Sequence, residues 1–195
     1  MYAVLGAALT KTCMPVISGT SEQILRRVDS FDWNLLASGD IRGVDQSRLT
    51  YIQKPIAEAE LASASVDVLV SNSVFEHIAD PVNVIKEMAR IVCPGGLCMH
   101  AIEGVDHRFY RNQEIDELEF LRDESDAQLL FGCSRVRPLA FQPMFEEHGF
   151  EVRDIHIGEV RPVSDDAVQI FAPQFRELPR RHLEVLRARF YLRRR

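Results

Sequence analysis

The chain has 195 residues, of which 46% are apolar, and its formal net charge at pH 7 is −6. A chain of this length and composition can bury the core of one domain, which excludes an intrinsically disordered protein, a collagen and a small disulfide-stapled fold. The acidic balance argues against a nucleic-acid partner, because the nucleic-acid backbone repels negative charge.

The sequence contains no signal for membrane insertion or secretion. No apolar run approaches the roughly 18–20 residues that a membrane-spanning helix needs. Residues 2–9 are apolar, but no basic segment precedes them, so a secretory signal is not predicted. The cysteines lack zinc-ribbon or zinc-finger spacing, and we predict reduced structural thiols in a cytoplasmic protein without a membrane span. They are Cys13, Cys93, Cys98 and Cys133.

The first 48 residues show only weak patterns. Residues 2–9 and 21–28 are predicted helical pieces, but no strand–helix–strand pattern joins them. We therefore interpret residues 1–48 as a poorly defined, mostly helical N-terminal segment. Thr50–Gln53 is predicted to be a short strand that precedes a loop.

The clearest pattern is a strand–helix–strand unit. Val66–Ser71 is a β-branched apolar run, which predicts a strand buried on both faces. Asp80 and Pro81 are typical of an N-cap and a first helical position, and the helix is expected to end at residues 94–96 (PGG). Leu97–Ile102 is the next strand. Such a unit predicts parallel strands joined by a right-handed crossover.

The C-terminal half continues the alternation of helix and strand. Glu114–Leu130 is predicted to be partly helical, residues 138–148 to be a helix, and Phe150–Ile157 to be a strand. In the last predicted strand, Arg187–Arg193, apolar residues alternate with arginines. The basic tail is therefore interpreted as a solvated strand face rather than as a nucleic-acid patch.

Candidate chemistry follows the two predicted parallel strands. Ligands of open α/β sheets bind beyond the carboxyl ends of the strands, so residues 71–77 and 100–107 are expected to share one rim. Histidines and carboxylates there suit general acid–base catalysis. Glu76 is explained equally well by the dipole of the following helix, and His100 is interpreted mainly as a core residue. Asp106 and His107 are the strongest functional candidates.

A metal site is not predicted at this rim. His77, His100, Asp106 and His107 have suitable ligand atoms. However, no pair of histidines or acids has the spacing of metal ligands on one helix.

The run VDVLVSNSVFEHIADPVNVIKEMARIVCPGG (Val66–Gly96) resembles the class I, seven-stranded S-adenosylmethionine-dependent methyltransferases. It is most similar to the type 11 methyltransferase-domain group, in which strand 4 ends in SN-x-V-x-EH and the next helix ends in R-x-x-x-PGG. The resemblance continues through residues 100–107 and 134–137 and covers about residues 49–193. It implies an α/β fold with a Rossmann-like methyltransferase sheet and an antiparallel C-terminal strand. We therefore interpret residues 49–195 as the C-terminal part of such a domain.

The resemblance also implies a cofactor, S-adenosylmethionine, and roles for particular residues. In the family, residues at these positions lie along the cofactor or border its methyl group and the acceptor. The implied cofactor-binding residues are Ile56, Ala57, Asn72, Ser73, Val74 and Glu76. The implied catalytic residues are His107, oriented by Asp106, and His77 beside Glu76; either histidine would serve as the base for a hydroxyl acceptor.

The sequence departs from the family at its front. It has no G-x-G-x-G loop, although the family binds the cofactor on such a loop after strand 1. Three βα units would need roughly 90 residues at about 30 each. Only 65 residues precede Val66. We therefore expect an N-terminally incomplete sheet whose strand 4 has an unpaired edge, which residues 1–48 refill or a homodimer covers.

Three interpretations remain open. The chain is the C-terminal part of a methyltransferase, a methyltransferase-like protein that rebuilds the cofactor site, or a non-catalytic binding or scaffolding module. The first two predict methyl transfer to a small-molecule, sugar or lipid-linked acceptor.

Overall fold

The structure is a computed structural model that describes residues 31–43, 50 and 52–195. The chain divides into two compact units, one ending at Gln53 and one spanning Lys54–Arg195. In the first unit, α1 (Trp33–Ala37) begins after Asp32, whose side chain accepts hydrogen bonds from two backbone N–H groups of the first turn. The predicted helices 2–9 and 21–28 lie outside the described residues. The predicted strand Thr50–Gln53 is wrong, because its described residues are irregular.

The second unit is built on a mixed four-stranded sheet. Its neighbouring strands run in the order β1, β2, β6, β5; β1 and β2 are parallel, and β6 is antiparallel to both of its neighbours. A separate antiparallel pair is formed by β3 and β4. The strands are β1 (Val66–Asn72), β2 (Val92–Glu103), β3 (Leu129–Leu130), β4 (Cys133–Ser134), β5 (Phe150–Val160) and β6 (Val185–Arg194).

Five short helices accompany these strands. The crossover helix α2 begins as predicted, since the Asp80 carboxylate accepts a hydrogen bond of 3.0 Å from the Asn83 backbone N–H and Pro81 occupies the first turn. The helices are α2 (Pro81–Ile91), α3 (Phe141–Glu147), α4 (Asp165–Gln169), α5 (Pro173–Arg176) and α6 (Arg180–Glu184).

The segment Glu114–Leu130 is less helical than predicted. It contains one 3-10 turn, Glu119–Arg122, and ends in β3. Asn112 and Asp116 explain this, because their side chains accept hydrogen bonds from backbone N–H groups two residues later, at 3.1 and 2.8 Å. Such local bonds stabilise turns in place of a continuous helix.

The core lies on one face of the sheet. The helices α2 and α3 cover this face, and the buried side chains of β2 and β6 alternate toward them, as predicted for β6. The main cluster comprises Phe75, Ile85, Met88, Ile91, Val92, Cys98, Ile102, Phe141, Phe145, Phe150, Val185, Ala188, Phe190 and Leu192. A second cluster, between the segment after β2 and the helices α4 to α6, includes Val105, Leu118, Phe120, Leu121, Cys133, Phe171, Phe175, Leu183 and Leu186.

Burial of β1 on both faces was expected and is not found. Leu69 packs against the main cluster, but Val68 and Val70 on the opposite face are 60% and 57% exposed. The reason is that α2 and α3 pack only on the Leu69 side. Within Lys54–Arg195, β1 pairs only with β2.

The described cysteines and helices bear on two further predictions. Cys93, Cys98 and Cys133 are free thiols, as predicted; Cys13 lies outside the described residues. None of the helices in the described part of the chain is long and apolar enough to cross a membrane.

Candidate active site at the carboxyl ends of β1 and β2

The predicted rim exists, and it is formed by the segments that follow β1 and β2. The Ser73 backbone N–H donates a hydrogen bond of 3.0 Å to the Ala101 carbonyl, which ties the two strand ends together. One 3-10 turn, Phe75–His77, follows β1, and another, His107–Tyr110, follows β2. These turns bring the rings of His77 and His107 to a centroid distance of 4.8 Å.

His77 is an exposed histidine with a defined orientation. Its Nδ1 lies 2.8 Å from the carbonyl oxygen of Gly132, between β3 and β4. Because a carbonyl only accepts hydrogen bonds, Nδ1 carries the proton in the neutral ring, and the lone pair is on Nε2. The exposed ring can therefore accept a proton at Nε2.

His107 lies beside Glu103 and not beside Asp106. Its Nε2 is 3.2 Å from a Glu103 carboxylate oxygen, which is within ion-pair distance but lacks hydrogen-bond alignment. The other Glu103 oxygen accepts hydrogen bonds from Tyr110, at 2.6 Å, and from Arg187. Burial favours a higher Glu103 pKa, but these donors offset it and the pKa is lowered. Glu103 is therefore an ionised carboxylate at the rim.

The prediction that Asp106 orients His107 is wrong. The buried Asp106 carboxylate accepts hydrogen bonds from the Arg108 backbone N–H, at 3.0 Å, and from the Arg108 guanidinium, at 2.6 Å. It caps the turn that carries His107, and so it positions the backbone rather than the imidazole.

Glu76 is buried beneath the rim. It is 2% exposed, and neither carboxylate oxygen has a hydrogen-bond partner among the described residues. Burial raises the pKa of this carboxyl. The dipole of α2 does not explain a side chain that is enclosed in this way.

His100 is a core residue, as the sequence interpretation favoured. Its side chain is fully buried, its Nδ1 lies 2.8 Å from the Ser71 hydroxyl, and its ring stacks on Phe145. Burial lowers the pKa of His100 to about 4. The imidazole is therefore neutral at physiological pH.

The predicted cofactor-binding residues fall into two groups. Asn72 and Ser73 line a cavity of about 220 Å³ together with Glu103 and Arg187 at the rim, and the exposed Val74 follows them. Ser73 has a φ of +52°, which turns the chain sharply at the end of β1. Ile56 and Ala57 lie in a 3-10 turn whose Ile56 packs against the core.

Several rim residues were not predicted from the sequence. Glu103 lay within the segment singled out after β2, but the pairing with His107 was assigned to the adjacent Asp106. Tyr110, Arg187 and Gly132 carry no local signal, because they contact Glu103 and His77 from other parts of the chain.

Comparison with known proteins assigns the part of the chain that includes β1 and α2. The model of a family described as a methyltransferase domain, type 11, matches residues 27–100. Over these residues the chain is similar to methyltransferase domains of type 11. The methyltransferase match begins earlier than residue 49, where the resemblance was expected to start.

Curated relatives support the same methyltransferase family. An uncharacterized methyltransferase of Mycobacteroides abscessus is 38% identical over 58 residues, which are 30% of this chain and 22% of the relative. A ubiquinone biosynthesis O-methyltransferase of Vibrio cholerae is 41% identical over 51 residues, 26% of this chain and 21% of the relative. The matched segments thus span about a fifth of the length of these relatives.

A solved structure shows that the methyltransferase fold extends beyond the family match. A candidate S-adenosylmethionine dependent methyltransferase of Listeria monocytogenes aligns with a TM-score of 0.52 and 15% identity, covering 82% of this chain and 75% of that protein. At this identity the likeness is one of fold. It confirms the Rossmann-like α/β class.

The family's cofactor, S-adenosylmethionine, can be tested against the rim. The left-handed turn at Ser73 and the adjoining cavity, which Asn72 and Ser73 line, would fit one part of such a ligand. A cavity of this size holds only part of such a cofactor, and the sequence has no G-x-G-x-G loop for the remainder. The residues present would therefore hold part of the cofactor at the end of β1.

Proposed function

We propose that this protein transfers a methyl group from S-adenosylmethionine to a hydroxyl group of a small-molecule, sugar or lipid-linked acceptor. The match of residues 27–100 to a methyltransferase-domain family supports the reaction type. The relative named as an O-methyltransferase supports an oxygen acceptor. The acidic composition favours such acceptors over nucleic acid.

The observation that carries the proposal is the orientation of His77 at the rim. Its Nδ1 is fixed on the Gly132 carbonyl, so Nε2 is available to a hydroxyl proton at the exposed face of the ring. Asn72 and Ser73 line the neighbouring cavity at the end of β1. A base and an opening that fits part of the cofactor thus share one edge of the sheet.

S-adenosylmethionine, when bound, supplies a methyl group that its sulfonium charge already activates. The protein's own tasks are then to align the acceptor and to receive its proton. In the proposed step the hydroxyl proton would move to Nε2 of His77 as the oxygen forms a bond to the methyl group, and the broken methyl–sulfur bond would leave S-adenosylhomocysteine. Glu103, held by Tyr110 and Arg187, is an acceptor for a second polar group of the substrate.

The first test is isothermal titration of the chain with S-adenosylhomocysteine. Binding near micromolar strength, about −8 kcal/mol, is expected. Asn72→Ala should weaken that binding about tenfold, whereas Asn83→Ala, an exposed asparagine on α2, should leave it unchanged. The absence of binding up to millimolar concentration would contradict the proposal and favour a non-catalytic module.

The role of His77 is tested on the acceptors that a methylation screen identifies. His77→Ala should reduce turnover by about 10²- to 10⁴-fold, the usual contribution of general base catalysis. Affinity for S-adenosylhomocysteine should change less than threefold, since the ring is assigned to the acceptor. An unchanged turnover would remove His77 from this role.

A further inference from the structure

A group of potential metal-ligand atoms lies beneath the rim. Glu76, Glu103 and His107 each offer one of them, and these atoms lie within 4.8 Å of one another. Among the described residues, both Glu76 oxygens and Nε2 of His107 are buried without a hydrogen-bond partner. Buried polar atoms of a native protein are nearly always satisfied, so unpaired atoms in one cluster indicate a missing partner.

We propose that Glu76, Glu103 and His107 bind a divalent transition-metal ion. Two carboxylates and one imidazole form a donor set that suits Zn²⁺ or Mn²⁺. The ligands come from the turn after β1, the end of β2 and the turn after β2, which the sheet holds together. No spacing pattern predicts this site, because its ligands are not on one helix.

The distances allow such an ion after a small adjustment. Ligand atoms about 2.0–2.2 Å from a tetrahedral zinc ion stand roughly 3.3–3.5 Å apart. Separations of up to 4.8 Å therefore require the ligand atoms to approach one another by at most about 1.5 Å. Glu76 has no competing hydrogen bonds to break, since neither of its oxygens has a partner in the described residues.

The surroundings of Glu103 are those of a supported ligand. Tyr110 and Arg187 bind one of its oxygens, so the other is left toward His107. Such outer contacts orient the carboxylate of a metal site. Arg187 also pairs with Glu159, so its positive charge is shared between two carboxylates. Four groups, three carboxylates and one guanidinium, therefore carry two net negative charges when ionised, which matches a dication. They are Glu76, Glu103, Glu159 and Arg187.

A second combination of residues is less suitable. His77, His107 and Cys133 also have ligand atoms within 4.8 Å of one another. Its only acidic group is the Cys133 thiol, and burial raises the pKa of that thiol, which disfavours the thiolate. The first combination instead offers two carboxylates to a dication. The site is therefore assigned to Glu76 and Glu103.

A cation in this site would also affect the proposed reaction. A cation at Glu76, Glu103 and His107 lies beside the ring of His77, and it would lower the pKa of an acceptor hydroxyl that binds to it. This consequence depends on the proposed methyl transfer. Metal binding itself does not, and it is measured without cofactor or acceptor.

The test is isothermal titration of the EDTA-dialysed 195-residue chain with Zn²⁺, Mn²⁺ and Mg²⁺ in separate experiments. One equivalent of Zn²⁺ or Mn²⁺ should bind, with Mg²⁺ at least tenfold weaker because imidazole is a poor ligand for it. Glu76→Gln and Glu103→Gln should each weaken binding at least tenfold. Glu87→Gln, which removes a partly buried carboxylate on α2, should leave binding unchanged.

Two controls keep the assignment falsifiable. Circular dichroism of each variant identifies misfolding. Glu76→Asp provides a second variant, which keeps the charge but places the carboxylate oxygens farther from the other ligand atoms. No binding of any of the three ions to the wild type would overturn the proposal, and would indicate that Glu76 instead holds its own proton. Loss of binding in Cys133→Ser with full binding in Glu76→Gln would overturn the ligand assignment. Titration with S-adenosylhomocysteine, run in parallel, reports separately on the proposed function.

Discussion

The buried imidazole of His100 makes the stability of the fold depend on pH. Its only polar neighbour at hydrogen-bond distance within the described residues is the Ser71 hydroxyl, and its ring lies between Phe75 and Phe145. Burial lowers its pKa to about 4, below the usual histidine value of about 6.5. The unfolded chain therefore binds this proton more readily than the folded protein. The contribution of neutral His100 is complete above about pH 6.5 and is lost as the pH falls toward 4.

Replacement of His100 by Gln should remove this pH-dependent contribution to the free energy of unfolding. Between pH 7 and pH 5 the wild type should lose about 2 kcal/mol of unfolding free energy relative to His100→Gln, since each pKa unit is worth about 1.4 kcal/mol. Urea denaturation at several pH values measures the difference. The exposed His156→Gln serves as the control and should follow the wild type. Parallel pH profiles for wild type and His100→Gln would contradict the assignment.

Arg137 joins the strand ends beneath the rim. Its fully buried guanidinium donates hydrogen bonds to four carbonyls: Gly104 after β2 at 2.6 Å, Val185 at the start of β6 at 3.2 Å, and His182 and Leu183 at 3.3 Å. Gly104 leaves the space for it, because a Cβ there would lie 3.0 Å from the guanidinium carbon. Arg137 thus replaces the backbone partners that these chain ends lack.

Truncation of this hydrogen-bonding group should be costly. Arg137→Met leaves several buried carbonyls unpaired, and at about 1–3 kcal/mol each the loss should be at least about 3 kcal/mol. Arg137→Lys, which keeps the charge but has fewer donors, should lose less. Urea denaturation measures both against Arg153→Met, an exposed arginine that pairs with Glu151. A loss below 1 kcal/mol in Arg137→Met would show that water satisfies these carbonyls.

Among the elements, the crossover helix α2 has its first turn capped by one side chain. The Asp80 carboxylate accepts the Asn83 backbone N–H in the first turn. Asp80→Ala should therefore lower the unfolding free energy by about 1 kcal/mol, the usual cost of a lost N-cap. Thermal denaturation measures it, with the exposed Lys86→Ala on the same helix as the control. Equal melting temperatures for the two variants would contradict the capping role.

The elements that the sequence predicted well are those with strong periodicity or clear caps. α2 and β6 follow from the Asp80–Pro81 start and from the alternation of apolar residues with arginine, and both are found. Glu114–Leu130 is less helical than predicted because side chains that bond to neighbouring N–H groups stabilise turns. The burial of β1 failed because strand composition does not reveal whether both faces of a sheet are covered.

At the rim, too, local sequence patterns predicted the position of residues but not their distant contacts. Its location followed from the order of strand and helix, and His77, Glu76 and His107 do lie there. Their partners could not be predicted, because the contact between His77 and Gly132 joins residues 55 positions apart. The prediction for Asp106 was wrong because its carboxylate accepts a hydrogen bond from Arg108 in its own turn and does not contact His107.

At the scale of the whole molecule, one face of the sheet exposes apolar side chains to solvent. Val68, Val70 and Leu97 are 60%, 57% and 54% exposed and lie on neighbouring strands. Val68 and Leu97 are paired in register, so these side chains form one apolar patch. Within Lys54–Arg195, the outer edge of β1 has no strand partner. An apolar face beside an open strand edge favours pairing with a second chain.

We therefore expect the 195-residue chain to form a homodimer through β1. Sedimentation velocity over a hundredfold range of concentration should show a monomer–dimer equilibrium. Val70→Lys should raise the dissociation constant at least tenfold, because a charge on the patch and beside the strand edge must be desolvated in the dimer. Val160→Lys, at the exposed end of β5, should not change it. A wild-type chain that is monomeric at every concentration, or a Val70→Lys variant that still dimerises, would show that this face is not the contact.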